Sequence, residues 1–335
     1  MIWPPYQRLK IMAQDLKLSM LFGGDYDRVR PLRDGLIKTE GVDLKISVTD
    51  SPSKAFTMLS RTDEFDGGEM SLSFFSTLLS RHGNKSQFIG FPVYPSRMFR
   101  HGNLAYNINS GIKSPRDLNG KVMGLPEYGM TMAVWLRGLL THEYGVDTNS
   151  IKWRAGRDPA AIDPADLLYP KGVDIRRGGD SPRLMQMLND GELDAVIAPL
   201  PEKLPPNVAR FFPDYAAAEQ AYYKKTSIFP IMHVLVLKRK IFEANPWLAR
   251  PLYDAFCRAK EKAIANLWFG GVLAVTLPWL LPALEEQTKI MGGDLWSYGL
   301  QRNRPTLEAY LTYAEEQGLL WRKLAFDELF IDVGE

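Results

Sequence analysis

The chain has 335 residues, 45% of them hydrophobic and 11% aromatic, which is more than one ordinary core of about 150 residues absorbs and predicts two lobes. Lys and Arg number 41 against 39 Asp and Glu, for a net charge of +2, so the totals give no polyanion-binding surface and no nucleic acid partner is expected. The single cysteine, Cys257, excludes an internal disulfide and a cysteine zinc cluster, and fits a reducing compartment.

The first sixteen residues, MIWPPYQRLKIMAQDL, lack the uninterrupted apolar run of about 7 to 15 residues that an export signal needs. A cytoplasmic location is expected, with Met12 as an alternative start. Leu16 to Phe22 then reads as a strand, Gly23-Gly24-Asp25 as a turn, and Val29 to Thr39 as helical in its spacing. Val42 to Val48 is the next strand, Ser51-Pro52 caps a helix, and Phe65 to Glu69 is a short segment. Leu72 to Leu79 is helical and Phe88 to Val93 a strand. This β-α-β-α order predicts a parallel α/β sheet with right-handed crossovers.

The same grammar restarts after Leu104 to Ile108. Ser114-Pro115 with Asp117 opens a short helix, Lys121 to Leu125 is a strand, and Thr131 to Tyr144 is an amphipathic helix. Ile151 to Arg154 suggests a strand, Ser181-Pro182 a capped helix through Asn189, and Asp194 to Ala198 and Ile231 to Leu237 further strands. Ile264 to Leu284 is almost wholly apolar and near the length of a membrane span, but Gly270, Gly271, Pro278 and Pro282 break it. It is expected to form a buried core helix, a turn and a second helix, and no membrane partner is expected. Exposed parts of it are candidates for a homo-oligomer interface.

These elements predict two α/β lobes with two crossings between them: residues 1–110 with 228–335 as the first lobe, and 111–227 as the second. Ligands of open α/β sheets lie beyond the carboxyl ends of strands, between converging loops. Gly23 to Arg28 lacks the GxGxxG and GK[ST] spacings of nucleotide loops, which leaves a plain turn or a ligand loop carrying Asp25 and Arg28. Pro95 to His101 places Arg97 and Arg100 three residues apart beside His101, a set able to grip carboxylates and equally able to be a solvated basic loop. Glu127, Tyr128 and Thr131 stand at the start of a helix. His233 lies in an apolar strand, where a core role competes with catalysis. No GxSxG elbow accompanies these histidines, and Cys257 suits packing better than nucleophilic catalysis.

Taken in order, these loops resemble those of the 4,5-dihydroxyphthalate decarboxylase family. The residues that carry the resemblance are GDYDRVRPL at Gly24 to Leu32, EMSLS at Glu69 to Ser73, FPVYPSRMFRH at Phe91 to His101 and LPEYGMTMAVWLRGLL at Leu125 to Leu140. FPIMH at Phe229 to His233, NPW at Asn245 to Trp247 and YGLQRNRPTLE at Tyr298 to Glu308 complete the set, which spans about Leu16 to Leu329. The resemblance implies a fold like that of type II periplasmic solute-binding proteins and conversion of 4,5-dihydroxyphthalate to 3,4-dihydroxybenzoate plus CO2 in phthalate degradation.

That chemistry needs a base for a phenol, an acid at the ring carbon that loses CO2, and anchors for carboxylates. Arg97 and Arg100 are expected on the carboxylates, His101, His233 and Glu127 as acid and base, and Asp25, Arg28, Glu69, Tyr128 and Thr131 around the ring. No cofactor is expected; a divalent metal on Asp25, Glu69, His101 and His233 is the alternative. Two rivals remain at this point: a solute-binding protein that captures an aromatic carboxylate, and a decarboxylase of the same family acting on another substituted benzoate.

Overall fold

The computed structural model describes residues 15–157, 170–180 and 183–334. The expected Ser181-Pro182 cap and the reading of residues 1–14 lie outside the described residues. Eleven strands are described: β1 (Leu16–Phe22), β2 (Val42–Val48), β3 (Gly67–Ser71), β4 (Phe88–Arg97), β5 (Leu104–Asn107), β6 (Val122–Leu125), β7 (Lys152–Arg157), β8 (Ile175–Asp180), β9 (Ala195–Ile197), β10 (Val208–Arg210) and β11 (Ile231–Lys238).

They form two sheets. The first has the order β2-β1-β3-β11-β4 and the second β10-β5-β9-β6-β7-β8. Neither is purely parallel, contrary to the sequence expectation. β11 runs antiparallel to both β3 and β4, and β5 antiparallel to both β9 and β10. The physical reason is the pair of crossings: β5 and β11 are the strands by which the chain enters a sheet from the other one, without the helical crossover that keeps successive strands parallel. The outward passage lies between Arg97 and Leu104, since β5 already pairs within the second sheet. It is therefore earlier than residue 110. The return lies between β10 and β11 and includes the helix Tyr215–Thr226.

Strands buried on both faces explain the unbroken apolar runs in the sequence. Nine of the ten residues of β4 and seven of the eight of β11 are buried, while the edge strand β2 alternates. The helix Arg304–Glu316 touches helices of both halves, Leu72–His82 and Thr131–Tyr144. Tyr310 Oη meets Ser76 Oγ at 2.7 Å, and Trp135 of the helix Thr131–Tyr144 packs edge-on against Tyr313. Arg137, fully buried, bonds Gln317 Oε1 at 2.8 Å and the Tyr128 carbonyl at 2.8 Å while lying over the Tyr128 ring. This one helix and Gln317 after it thus fasten the helix Thr131–Tyr144 to the helix Leu72–His82.

The apolar stretch Ile264 to Leu284 is not the buried helix pair that its composition suggests. The helix Ala249–Leu267 ends four residues into it and the expected second helix, Leu280–Met291, starts just after Pro278, but the segment between them is not buried. Between them Val272 is 67% and Trp279 80% exposed, because paired glycines and a proline deny the segment the regular backbone that core packing requires. Among the described residues, no helix is long and apolar enough to cross a membrane.

Gly68 fixes the register on which the site depends. Its φ of +145° and its contact with β1, where a Cβ would collide with the Leu21 carbonyl, admit only glycine. Gly68→Ala is expected to cost about 3 kcal/mol of unfolding free energy or more in denaturant titration; a loss within ~0.5 kcal/mol would contradict this close approach of β1 and β3.

Candidate active site

Glu69 follows Gly68 on β3 and is fully buried. Three groups converge on its carboxylate. The Gly23 N–H donates to Oε2 at 2.7 Å, the Tyr26 hydroxyl donates to Oε1 at 2.7 Å, and Nδ1 of His233 stands 2.5 Å from the same Oε1. The register makes the last contact: Glu69 pairs with Leu235 across the antiparallel ladder, so His233, two residues along, is its diagonal neighbour on the same face. Burial pushes the Glu69 carboxyl up, but His233, Tyr26 and the Gly23 N–H outweigh it and hold the group below the usual carboxylate range. Burial and then the charge of Glu69 push the Tyr26 phenol upward, so that it remains a donor.

The turn after β1 reaches Glu69 only because residue 23 is glycine. A Cβ there would collide with Pro52 Cα, the first residue of the helix Pro52–Arg61. That helix forms one wall of the cleft with Phe56, whose ring stands edge-on to His233 at 5.0 Å. The expected Ser51 cap is present in position, although the Ser51 side chain makes no capping bond.

The cleft has a volume of about 350 Å³ and takes residues from both sheets. His233 and Met232 enter from β11, Ser71 from the end of β3, Phe74 from the helix Leu72–His82, Arg100 from the outward crossing, Glu127 from the loop after β6 and Thr131 from the start of the helix Thr131–Tyr144. Thr131 Oγ1 meets Ser71 Oγ at 2.9 Å and accepts from the Ser73 N–H at 3.1 Å. Trp135 Nε1 donates to the Ile231 carbonyl at 2.9 Å. These bonds close the two halves around one cavity.

Arg100 is the cation of the cleft. Its Nε lies 3.1 Å from Met232 Sδ and its Nη1 3.2 Å from Asn103 Oδ1, and among the described residues it forms no ion pair. Burial lowers its guanidinium to about 10, which leaves it charged at neutral pH. The charge of Glu219 reaches it, but no ion pair neutralises it among the described residues, and such a cation beside an apolar wall is suited to an anionic ligand. His233 Nε2 makes no hydrogen bond among the described residues, and so is the ring nitrogen left for a ligand.

Of the ten residues singled out from the sequence, Arg100, Glu127, Thr131 and His233 line the cleft, and Glu69 stands directly behind His233. The others are placed elsewhere. Arg97, the last residue of β4, is buried and donates to the Ser297 carbonyl at 2.9 Å, Asn303 Oδ1 at 2.8 Å and the Phe229 carbonyl at 2.6 Å. It ties the C-terminal segment to the return crossing. His101 turns into a box of Phe212, Tyr222 and Tyr144, where neither ring nitrogen has a hydrogen-bond partner among the described residues. Desolvation there lowers its imidazole to about 4, so it is neutral at physiological pH.

Asp25 is half exposed and pairs with Arg30 and Arg33. Arg28 donates to the Pro95 carbonyl at 2.7 Å and lies 3.9 Å over the Trp296 ring. Tyr128 is buried beneath Arg137, away from the cleft. Because Asp25 and His101 point elsewhere, the four residues of the metal alternative do not converge, and among the described residues no three His, Cys, Asp or Glu gather as a ligand set. Sequence reasoning missed Phe56, Phe74 and Met232 as lining residues. The Pro at the first position of the Phe56 helix, directly after a strand, was the one available signal.

No protein-family model matches the chain. Among curated proteins, a 4,5-dihydroxyphthalate decarboxylase of Comamonas testosteroni is 37% identical over 321 residues, covering 94% of this chain and 96% of the relative. Another of that name, from Pseudomonas putida, is 33% identical over 226 residues, 66% of this chain and 86% of the relative. Among solved structures, the alkanesulfonate-binding protein SsuA from Xanthomonas axonopodis pv. citri matches with a TM-score of 0.50 at 10% identity, over 95% of this chain and 99% of that one. Its fold is thus that of the two-lobed solute-binding proteins, and at more than one-third identity over nearly its whole length the chain belongs to the 4,5-dihydroxyphthalate decarboxylase family.

Proposed function

We propose that this chain is a carboxy-lyase that converts 4,5-dihydroxyphthalate to 3,4-dihydroxybenzoate and CO2, with Arg100 and the Glu69–His233 pair as its working groups. The similarity to two decarboxylases of that name supports the substrate. The observation that carries the chemistry is a histidine backed by a buried carboxylate in the same cleft as an arginine that forms no ion pair among the described residues.

Direct loss of CO2 from the ring would leave a carbanion in the ring plane, so protonation comes first. Glu127 takes the proton of the hydroxyl para to the departing carboxylate, and the oxygen pushes electrons into the ring. Protonated His233 delivers its Nε2 proton to the carbon that bears the carboxylate. That carbon becomes tetrahedral, the bond to the carboxylate breaks, its electron pair restores the aromatic ring and returns the charge to the phenolate oxygen as CO2 leaves, and Glu127 hands its proton back to that oxygen. One proton is consumed and one carboxylate charge is lost, which balances the conversion of a dianion to a monoanion. Glu69 stabilises the imidazolium and keeps Nδ1 occupied, so that Nε2 is the proton-donating atom. Arg100 holds a substrate carboxylate, while Phe56, Phe74 and Met232 keep the leaving group in an apolar setting.

This reading assigns no step to a metal. The test is turnover of 4,5-dihydroxyphthalate and a panel of hydroxylated benzoates by the parent, His233→Asn and Arg100→Ala, with and without exhaustive chelation, following CO2 and product by chromatography. His233→Asn is expected to lower kcat about 100- to 10,000-fold, and Arg100→Ala to raise KM about 10- to 100-fold. Binding without CO2 release would instead make the chain a solute-binding protein, turnover of another member of the panel would change the substrate, and loss of turnover on chelation would add a metal.

A further inference from the structure

Tyr26 touches no part of the cleft surface, yet its hydroxyl has one proton and gives it to Glu69 Oε1 at 2.7 Å, the same oxygen that lies 2.5 Å from His233 Nδ1. Gly23 N–H takes the other oxygen. A carboxylate held on both oxygens cannot rotate, and the ring that depends on it cannot turn either. We propose that Tyr26 is a positioning residue for the proton-transfer step: it pins Glu69 Oε1 on the Nδ1 side of His233, so that Nε2 faces the cleft, and it moderates the negative charge that the ring senses. This rests on the reading that His233 carries the proton to carbon.

The moderation follows from the sharing of one oxygen. A hydroxyl donating to Oε1 spreads the carboxylate charge and weakens its hold on the imidazolium. The other charged or titratable groups near His233 are Arg100, from the outward crossing, and Glu127, from the loop after β6, which share the cleft with it. Beyond Glu69 lie Tyr26 itself and Arg28, whose guanidinium is 4.5 Å over the Tyr26 ring. Against β11 the backbone neighbours of His233 are Ser71 and Ser96, neither charged. Tyr26 is the group among these that acts on the ring only through Glu69.

Two substitutions move the ring's proton affinity in opposite directions. Tyr26→Phe removes the hydroxyl, concentrates charge on Glu69 and strengthens imidazolium binding. The alkaline limb of the kcat profile, where His233 loses the proton it must deliver, is expected to move up by about 0.5 to 1 pH unit. Replacement of Tyr26 by 3-fluorotyrosine keeps the shape of the side chain and makes a stronger donor, so the same limb moves down. KM is expected to stay within about threefold in both, since neither change reaches the cleft surface.

A limb that stays within ~0.2 unit of the parent in both proteins overturns the proposal, as does a KM rise with an unmoved limb. The fluorinated protein keeps the test valid should Tyr26→Phe fail to fold. His233→Asn, measured beside them, separates the two readings. Parent-like turnover in that variant removes the role of His233 altogether, whereas an inactive His233→Asn with unmoved limbs at position 26 removes only the role given to Tyr26.

Discussion

A carboxylate with no solvent exposure is the constraint around which this chain is arranged. Taking Glu69 out of water costs several kcal/mol unless its oxygens are fully occupied, and the three groups that occupy them come from distant parts of the sequence: the Gly23 N–H, the Tyr26 hydroxyl and the His233 ring. Each contribution has a structural prerequisite. The β1 turn needs glycine at 23 to pass Pro52, β3 needs glycine at 68 to lie against Leu21, and His233 needs β11 to be inserted between β3 and β4. The site cannot exist until the chain has built the second sheet and returned. Long-range assembly is therefore built into the chemistry.

Two arginines three residues apart show how local backbone direction divides structure from function. Arg97 ends β4 and spends its donors on Ser297, Asn303 and Phe229, which fastens the C-terminal segment over the first sheet. Arg100 lies past the end of the strand, in the passage to the second sheet, and keeps its charge without an ion pair among the described residues. A net charge of +2 over 335 residues conceals this single placement. What matters for an aromatic dianion is one cation in a mostly apolar cleft, where its attraction is little screened by solvent.

The order of strands and helices, the two crossings and the loops that carry the site are legible in the sequence because apolar runs, Ser-Pro starts and glycine turns are local signals. Glu69, Arg100, Glu127, Thr131 and His233 sit in those loops or at strand ends, and they were singled out for that reason. The pairing of Glu69 with His233 was not legible: they are 164 positions apart and meet only through an antiparallel register. Nor was the fate of Arg97 or His101, since the sequence does not show how far β4 continues or that a short 3₁₀ turn carries His101 into an aromatic box. The apolar run before Leu280 misled for the converse reason. Composition argued for burial, while its glycines and prolines removed the backbone regularity that burial needs.

The most direct test of the account is a crystal structure of the parent protein with 3,4-dihydroxybenzoate. The account predicts the ring between Phe56 and Met232, with the remaining carboxylate or a catechol oxygen on Arg100. His233 Nε2 should lie about 3 to 3.5 Å from the ring carbon that has lost its carboxylate. A product bound at Arg97 or His101, with the cleft beside His233 unfilled, would contradict it.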